Sequence, residues 1–419
     1  TLDAAAAGQG SAIWQSAPDN RAFEWLSGNA DATEKAFAAA AHVVSVDVVQ
    51  NTLVCNAMEP RAALGIYDAR NDAYTLHTCS QGVSSLRERI AVDLLKIPRE
   101  KLRVLTPDVG GGFGMKAQLY AEQALVLVAA KMFSRPVKWN GDRVEGFLAD
   151  THSRDARTHA ELALDSSGKI LAVRVRGIAN MGAYFSRIGP QVPTQAGMRI
   201  LGGVYRLPVA HVHITGYFTN QMAIAPYRGA GRPEAAYLIE RLMDKAARTL
   251  NMDRLEIRRR NLIGAEEIPY TNWAGFTFDS GEFSSNLDEA ATRADWRGYA
   301  ARRDETRARG KLRGIGVAYY VELAGGNQGA EPAVIKFTEN GAVDVFVATQ
   351  SNGQGHETAF AQIIAERLGV PFESISVKEG DTNFGIAGMG SVGSRSMQTA
   401  GNAIGQGAGE LIEKGKLAA

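Results

Sequence analysis

The chain has 419 residues, more than one hydrophobic core usually serves, so two or three domains are expected. Apolar residues at 45% and charged residues at 22% fall in the ordinary range for globular proteins, and a net charge of +1 excludes a general field drawing the chain to nucleic acid or membrane. Two cysteines, Cys55 and Cys79, exclude a disulfide framework and any four-cysteine zinc or iron–sulfur site, and no apolar run reaches the roughly 18–20 residues that span a bilayer.

Residues 1–30 are polar and weakly patterned and read as a linker or the remnant of a preceding domain. A short helix is predicted over 32–41, then β-rich runs over 43–49 and 74–78 that read as strands. Val83, Leu86, Ile90 and Leu94 recur at helical spacing, so 83–95 reads as a helix. A strand over 102–105 leads into a glycine-rich turn, Asp108-Val109-Gly110-Gly111-Gly112-Phe113-Gly114-Met115-Lys116, and a helix over 118–132. A hairpin is predicted across 161–175 around Asp165-Ser166-Ser167-Gly168, a strand over 209–218, and a helix over 233–250 with Pro233 in its first turn. The stretch 296–313 carries Arg, Lys, Asp and Glu without aliphatic periodicity and reads as a charged boundary. Beyond it, 334–337 and 343–347 form a hairpin around Asn340-Gly341. A second glycine turn, Asn352-Gly353-Gln354-Gly355-His356-Glu357-Thr358, precedes a helix over 359–368 and a strand over 375–377. The third, Gly388-Met389-Gly390-Ser391-Val392-Gly393-Ser394-Arg395-Ser396, precedes a final helix.

Glycine lets a backbone approach a ligand closely, and a helix start offers unpaired N–H groups to an anion. Three such turns point to a large, phosphate-bearing cofactor held at several places. The first matches neither a Walker loop, because Ala117 follows Lys116, nor the G-x-G-x-x-G spacing of dinucleotide folds; its plain reading is a tight strand-to-helix crossover. Gln354 stands between two glycines, and its amide offers two donors and an acceptor to a heteroatom-rich ligand. His356 has no second His or Cys at metal-ligand spacing and reads as a helix-start residue. A fourth loop, residues 225–234, carries Arg228 and Arg232, suited to fixed contact with oxyanions; as a plain turn its arginines would be solvated. The clusters Arg258-Arg259-Arg260 and Arg302-Arg303 read as solvated helix faces.

Together, residues 107–116, 226–234, 353–358 and 391–403 resemble the large, molybdenum-binding subunit of the xanthine dehydrogenase/aldehyde oxidase family of molybdenum hydroxylases, as do Met58-Glu59-Pro60-Arg61-Ala62 and Thr78-Cys79-Ser80-Gln81-Gly82. The similarity runs in order from about residue 30 to 414. The resemblance implies an α+β fold of molybdenum cofactor-binding domains, with mixed sheets and strand–glycine turn–helix units. A first domain would cover 31–295, a charged linker 296–313, and an incomplete second domain 314–419. It implies molybdenum–molybdopterin, in the cytosine dinucleotide form usual in bacterial members, with the metal held by the pterin dithiolene and by no protein side chain directly. By the same resemblance Gln81 lies near the molybdenum, Gly112 and Phe113 pack beside the metal and its ligands, and Arg228 sits in the loop facing the centre. Gln354 bonds the pterin, and Ser391, Ser394 and Arg395 serve the dinucleotide end. The implied reaction is oxidative hydroxylation with water as oxygen source and a glutamate base. Electrons would leave through [2Fe-2S] clusters to FAD in an iron–sulfur subunit and an FAD subunit. Small-molecule substrate, no nucleic acid, no membrane span and a cytoplasmic setting complete the expectation, with the periplasm left open.

Three departures matter. The family's base belongs to a Gly-x-Gly-Glu motif expected beyond Ala419; Gly407-Ala408-Gly409-Glu410 imitates it, but Glu410 falls where the family has a helix and reads as structural. With its start at Thr1 and the family's N-terminal domain unmatched, the chain reads as a central fragment, or one piece of a subunit whose C-terminal part comes from another chain. Gly229 stands where carbon monoxide dehydrogenases of the family carry cysteine, and Ala230 where xanthine-oxidising members place Phe. These two pocket positions point away from CO and purine and toward an aldehyde or N-heteroaromatic substrate. The rival readings are a non-catalytic truncated fragment and an unrelated nucleotide-binding protein; the missing Lys-Ser/Thr and dinucleotide spacing weigh against the latter.

Overall fold

A computed structural model describes residues 1–324 and 329–418. Its contacts divide the chain into two units: Thr1–Leu53 with Ser153–Glu322, and Val54–His152 with Leu323–Ala419. Each unit is α+β.

The first unit is built on a five-stranded sheet in the order Arg21–Gly28, Ala210–Phe218, Ile170–Gly182, His152–Leu164, His42–Val54. The hairpin joining His152–Leu164 to Ile170–Gly182 is antiparallel, whereas Ile170–Gly182 runs parallel to Ala210–Phe218. The hairpin turns where the sequence signals it. Asp165 Oδ1 accepts from the Ser167 and Lys169 N–H groups at 2.8 and 2.9 Å, and Gly168 adopts φ +86°. Strand alternation buries Ala160, Leu162, Val173, Val175, Val212 and Ile214 in one core. Against them, helix Arg232–Thr249 buries Ala235, Leu238, Ile239, Leu242, Met243 and Ala246 at 3–4 residue spacing. Each large apolar side chain so buried contributes about 1.5–3 kcal/mol.

Three local expectations change. Residues 1–30 hold helix Leu2–Ala6 and strand Arg21–Gly28, which pairs antiparallel with Ala210–Phe218. Its pattern was masked because Leu26 points outward and is exposed while Phe23 and Trp25 pack on the core. The stretch 296–313 includes helix Tyr299–Ala308, held by Arg302 through Asp295 and the Ala294 carbonyl. Arg258 is not solvated: it is fully buried, donating to Glu240 Oε2 at 2.7 Å and Asp244 Oδ1 at 3.0 Å, while Tyr205 Oη donates to Glu240 Oε1 at 2.5 Å. A buried guanidinium is tolerated because two carboxylates, one turn apart on helix Arg232–Thr249, answer it.

The second unit contains two sheets. One has the order Leu102–Leu105, Ala73–Thr78, Ala62–Asp68, Val137–Asn140, with helix Ala121–Phe133 packed on it. Gly65 permits that packing, since a Cβ there would stand 2.4 Å from the Val126 carbonyl oxygen. The other pairs Ala333–Phe337 antiparallel with Val343–Val347 and Val343–Val347 parallel with Ile375–Lys378. Helix His356–Leu368 makes the parallel crossover, and helix Asn402–Ala418 closes the core with Ile404 and Ala408. The predicted helix over 83–95 is α-helical over Val83–Glu88 and widens into a π turn over Arg89–Leu95. Of the three glycine turns, the second alone starts an α-helix directly. A 3-10 turn, Met115–Ala117, follows the first, and a π turn, Met397–Gly401, follows the third.

Candidate cofactor site

Within the second unit Gln81 joins the first glycine turn to the third, and the second turn meets the third at Ser391. Gln81 follows strand Ala73–Thr78 and precedes helix Val83–Glu88, so its position is fixed from both sides. Gln81 is 6% exposed. Its backbone N–H donates to the Lys116 carbonyl at 3.0 Å, and its carbonyl accepts from Ser391 N–H at 2.7 Å. Its side-chain Nε2 donates to the Ser391 carbonyl at 2.9 Å, and Oε1 accepts from Gly114 N–H at 2.8 Å. One amide therefore ties the first turn to the third. Each amide atom still has a further hydrogen-bonding capacity.

The second turn joins through Gln354, whose Nε2 donates to Ser391 Oγ at 2.8 Å and whose Oε1 accepts from Asn352 N–H. Ser391 Oγ is also 3.2 Å from Ser396 Oγ, which lies 2.6 Å from Thr349 Oγ1. Glycine at 112 follows from space: a Cβ would meet Asn352 Oδ1 at 2.4 Å and the Gln81 amide at 2.7 Å. Phe113 adopts φ +55° and is 43% exposed, an aromatic ring displayed on a strained backbone. Ser394 shares that conformation and is exposed.

Behind the turns lie braces. Glu59 Oε2 accepts from Gly110 N–H at 2.9 Å and from Lys116 Nζ at 2.6 Å, and the Lys116 side chain is fully buried. Arg61 donates to Asp150 at 2.5 Å and Glu122 at 3.0 Å, with its guanidinium 3.6 Å from the Tyr120 ring centre. Burial disfavours the charge on Arg61, yet the two carboxylates hold it above its usual range. Arg395 is buried as well. It pairs with Glu331 and donates to the Gly329 carbonyl at 2.9 Å, and Glu331 Oε1 also accepts from Met389 N–H at 2.8 Å. The structure thus places Arg395 as a brace of the third turn.

Two observations bear on a ligand. Asn352 Oδ1 is buried without a hydrogen-bond partner, an orphaned acceptor beside the Gly112 backbone. The N-terminus of helix His356–Leu368 has Gly355 as cap, with no side-chain cap hydrogen bond, so no cap side chain takes up the donors of its first turn. The nominated groups Gln81, Gln354 and Ser391 are neutral amides and a hydroxyl, suited to a heteroaromatic ligand rich in donors and acceptors. Among the described residues no group of three or more His, Cys, Asp or Glu could hold a metal ion. These residues fit a pterin that carries its own metal ligands and a phosphate tail.

Arg228, Gly229 and Ala230 belong to the first unit, in the loop ahead of helix Arg232–Thr249. Gly229 and Gly231 adopt φ +97° and +92°, and Ala230 +46°. Ala230 N–H donates to the Tyr227 carbonyl at 2.8 Å and Arg232 N–H to the Gly229 carbonyl at 3.1 Å. Arg228 is exposed. Glu410 is helical and exposed within Asn402–Ala418. Glu331 carries no spacing signal in the sequence, and Asn352, Glu59 and Arg61 sit in stretches that the sequence singles out without giving them a role.

Family models described as molybdopterin cofactor-binding domains match residues 13–262 and 289–419. The chain belongs to this family of molybdenum hydroxylase large-subunit domains. It is 35% identical to the carbon monoxide dehydrogenase large chain of Hydrogenophaga pseudoflava, over 95% of this chain and 51% of that protein. It is 32% identical to the nicotine 6-hydroxylase large subunit of Paenarthrobacter nicotinovorans, over 95% and 50%. Quinoline 2-oxidoreductase from Pseudomonas putida 86 superimposes with a TM-score of 0.91 at 32% identity, over 97% of this chain and 53% of that one. The chain spans about half the length of the curated relatives it matches.

Proposed function

We propose that the full-length protein is the large subunit of a molybdenum hydroxylase that converts an aldehyde or N-heteroaromatic C–H, with water, into C–OH, two protons and two electrons. The observation that carries this reading is the convergence of three glycine turns, the first and third on Gln81 and the second on Ser391, beside an orphaned acceptor, Asn352 Oδ1. When bound, molybdenum–molybdopterin supplies the two-electron oxidant. Gln81 and Gln354 hold hydrogen bonds to its polar rim, Asn352 Oδ1 accepts one from it, and the open start of helix His356–Leu368 receives phosphate. Phe113 excludes water from that rim with its exposed ring. The cytosine dinucleotide form, with Ser394 at its far end, and iron–sulfur and FAD partner subunits belong to this reading. So does a cytoplasmic setting; no described helix is long and apolar enough to cross a membrane.

Substrate choice rests on the Arg228 loop. A Cβ at Gly229 would lie 2.4 Å from Pro233 Cγ on a backbone at φ +97°, so this loop favours glycine over the cysteine that CO oxidation would use. Ala230 leaves room for a ring, and two relatives are named for nicotine and quinoline. The exposure of Glu410 supports a base from elsewhere. The test is metal and nucleotide analysis of the full-length protein, with turnover of an aldehyde, an N-heteroaromatic and CO against a dye acceptor. Active protein without molybdenum or pterin would refute the reading, and CO as the preferred substrate would refute the role given to Gly229.

A further inference from the structure

Strand His152–Leu164 contains two successive non-glycine residues in the left-handed region, Arg154 at φ +70° and Asp155 at φ +62°. Side chains rarely tolerate that conformation, and a consecutive pair needs a surrounding that over-determines it. Buried Asn180 provides it. Its Nδ2 donates to Asp155 Oδ2 at 2.8 Å, while its Oδ1 accepts from Gly182 N–H and Thr219 Oγ1, each at 2.8 Å.

The reversal directs Arg154 toward the loop before helix Arg232–Thr249. Arg154 pairs with Glu234 in the helix's first turn, donates from Nη2 to the Arg228 carbonyl at 3.2 Å, and lies 5.3 Å from the Tyr227 ring centre. The two side chains are 9% and 11% exposed. A cavity of about 30 Å³ beside them, lined in part by Val192, Met198, Ile224 and Leu238, holds room for about one water. The loop's internal bonds, Ala230 to Tyr227 and Arg232 to Gly229, shape the turn without anchoring it to the sheet.

We infer that Arg154 is a positioning residue for the Arg228–Gly229–Ala230 loop, setting the pocket wall and so the size of substrate admitted. The inference rests on the functional reading above for the word substrate, but the positioning itself does not. Planar guanidinium geometry serves both acceptors at once, and a lysine ammonium reaches one of them less directionally.

Hydrogen exchange on the full-length protein decides it. In Arg154→Gln, the Ala230 and Arg232 amides should exchange at least about tenfold faster while those of Val212 and Ile214 in the central strand stay unchanged, with Arg154→Lys intermediate. With an N-heteroaromatic substrate, Arg154→Gln should raise KM about tenfold, with kcat and the KM of a small aldehyde changed less than about threefold, a split that general loss of structure does not produce. If central-strand amides also lose protection in Arg154→Gln, the shape-conserving Glu234→Gln decides instead. Unchanged loop exchange in the deciding variant overturns the inference. Faster loop exchange in a protein whose wild type turns over neither substrate upholds the positioning and rejects the functional reading.

Discussion

Replacing Gly112 by alanine probes the junction most directly. The new methyl would sit 2.4 Å from Asn352 Oδ1 and 2.7 Å from both Cδ and Oε1 of Gln81, about 1 Å inside ordinary contact. Something must yield. Gln81 can withdraw only by giving up its bonds to Gly114 N–H and the Ser391 carbonyl, each worth about 1 kcal/mol net. If it stays, the overpacking itself costs about 1–3 kcal/mol. The two routes bracket about 1–3 kcal/mol, which for a unit of this size lowers its melting temperature by roughly 2–12 °C. Scanning calorimetry of the full-length protein reads the shift, and molybdenum and nucleotide content of the same samples reads whether the junction still binds. A fall of less than about 2 °C with full cofactor content would mean that Gln81 is not held as described.

Other substitutions separate local effects. Gly415→Ala, in helix Asn402–Ala418 with no atom within 4 Å of the new Cβ, should stabilise by about 0.5–1 kcal/mol, read in the same melts. Ala230→Phe should narrow the range of accepted substrates; unchanged kinetics across small and bulky aldehydes would remove Ala230 from the pocket. Glu161 is held below its usual carboxylate range chiefly by its hydrogen bond to Arg174, 2.7 Å away on the paired strand. A lowered carboxylate contributes stability above the unfolded value near 4.3 and loses it as pH falls through the folded one. Glu161→Gln should therefore cost up to about 1 kcal/mol at pH 7 and progressively less toward pH 3, measured by melting at both.

What the sequence disclosed tracks how local the determining physics is. The 161–175 hairpin and the helix Arg232–Thr249 were legible because a turn side chain bonds its own backbone and because apolar residues recur at 3–4 spacing. The burial of Arg258 was not, since its partners Glu240 and Asp244 come from another helix and read alone as surface charge. The units interleave without notice too: no Gly or Pro break marks residues 53/54 or 152/153, where the chain passes from one to the other.

The same distinction sorts the site. Glycine spacing exposes where backbone must come close or turn with positive φ; the first holds at Gly112 and the second at Gly353 and Gly355, where a Cβ would meet nothing within 4 Å. Charge does not reveal where it will point. Lys116 and Arg395, the cations within the first and third turns, are both buried in ion pairs, one with Glu59 and the other with Glu331. Each therefore stiffens its turn from behind instead of meeting an anion. What those turns present at the Gln81 junction is amide, hydroxyl and backbone N–H, and a phosphate is left to the helix start at His356. Recognition on such terms selects a ligand by its pattern of donors and acceptors and not by its charge. On the proposed reading a bare nucleotide should consequently compete poorly for this cradle, whereas a pterin able to donate to Asn352 Oδ1 should not need its phosphate tail to bind, which competition binding with each compound checks.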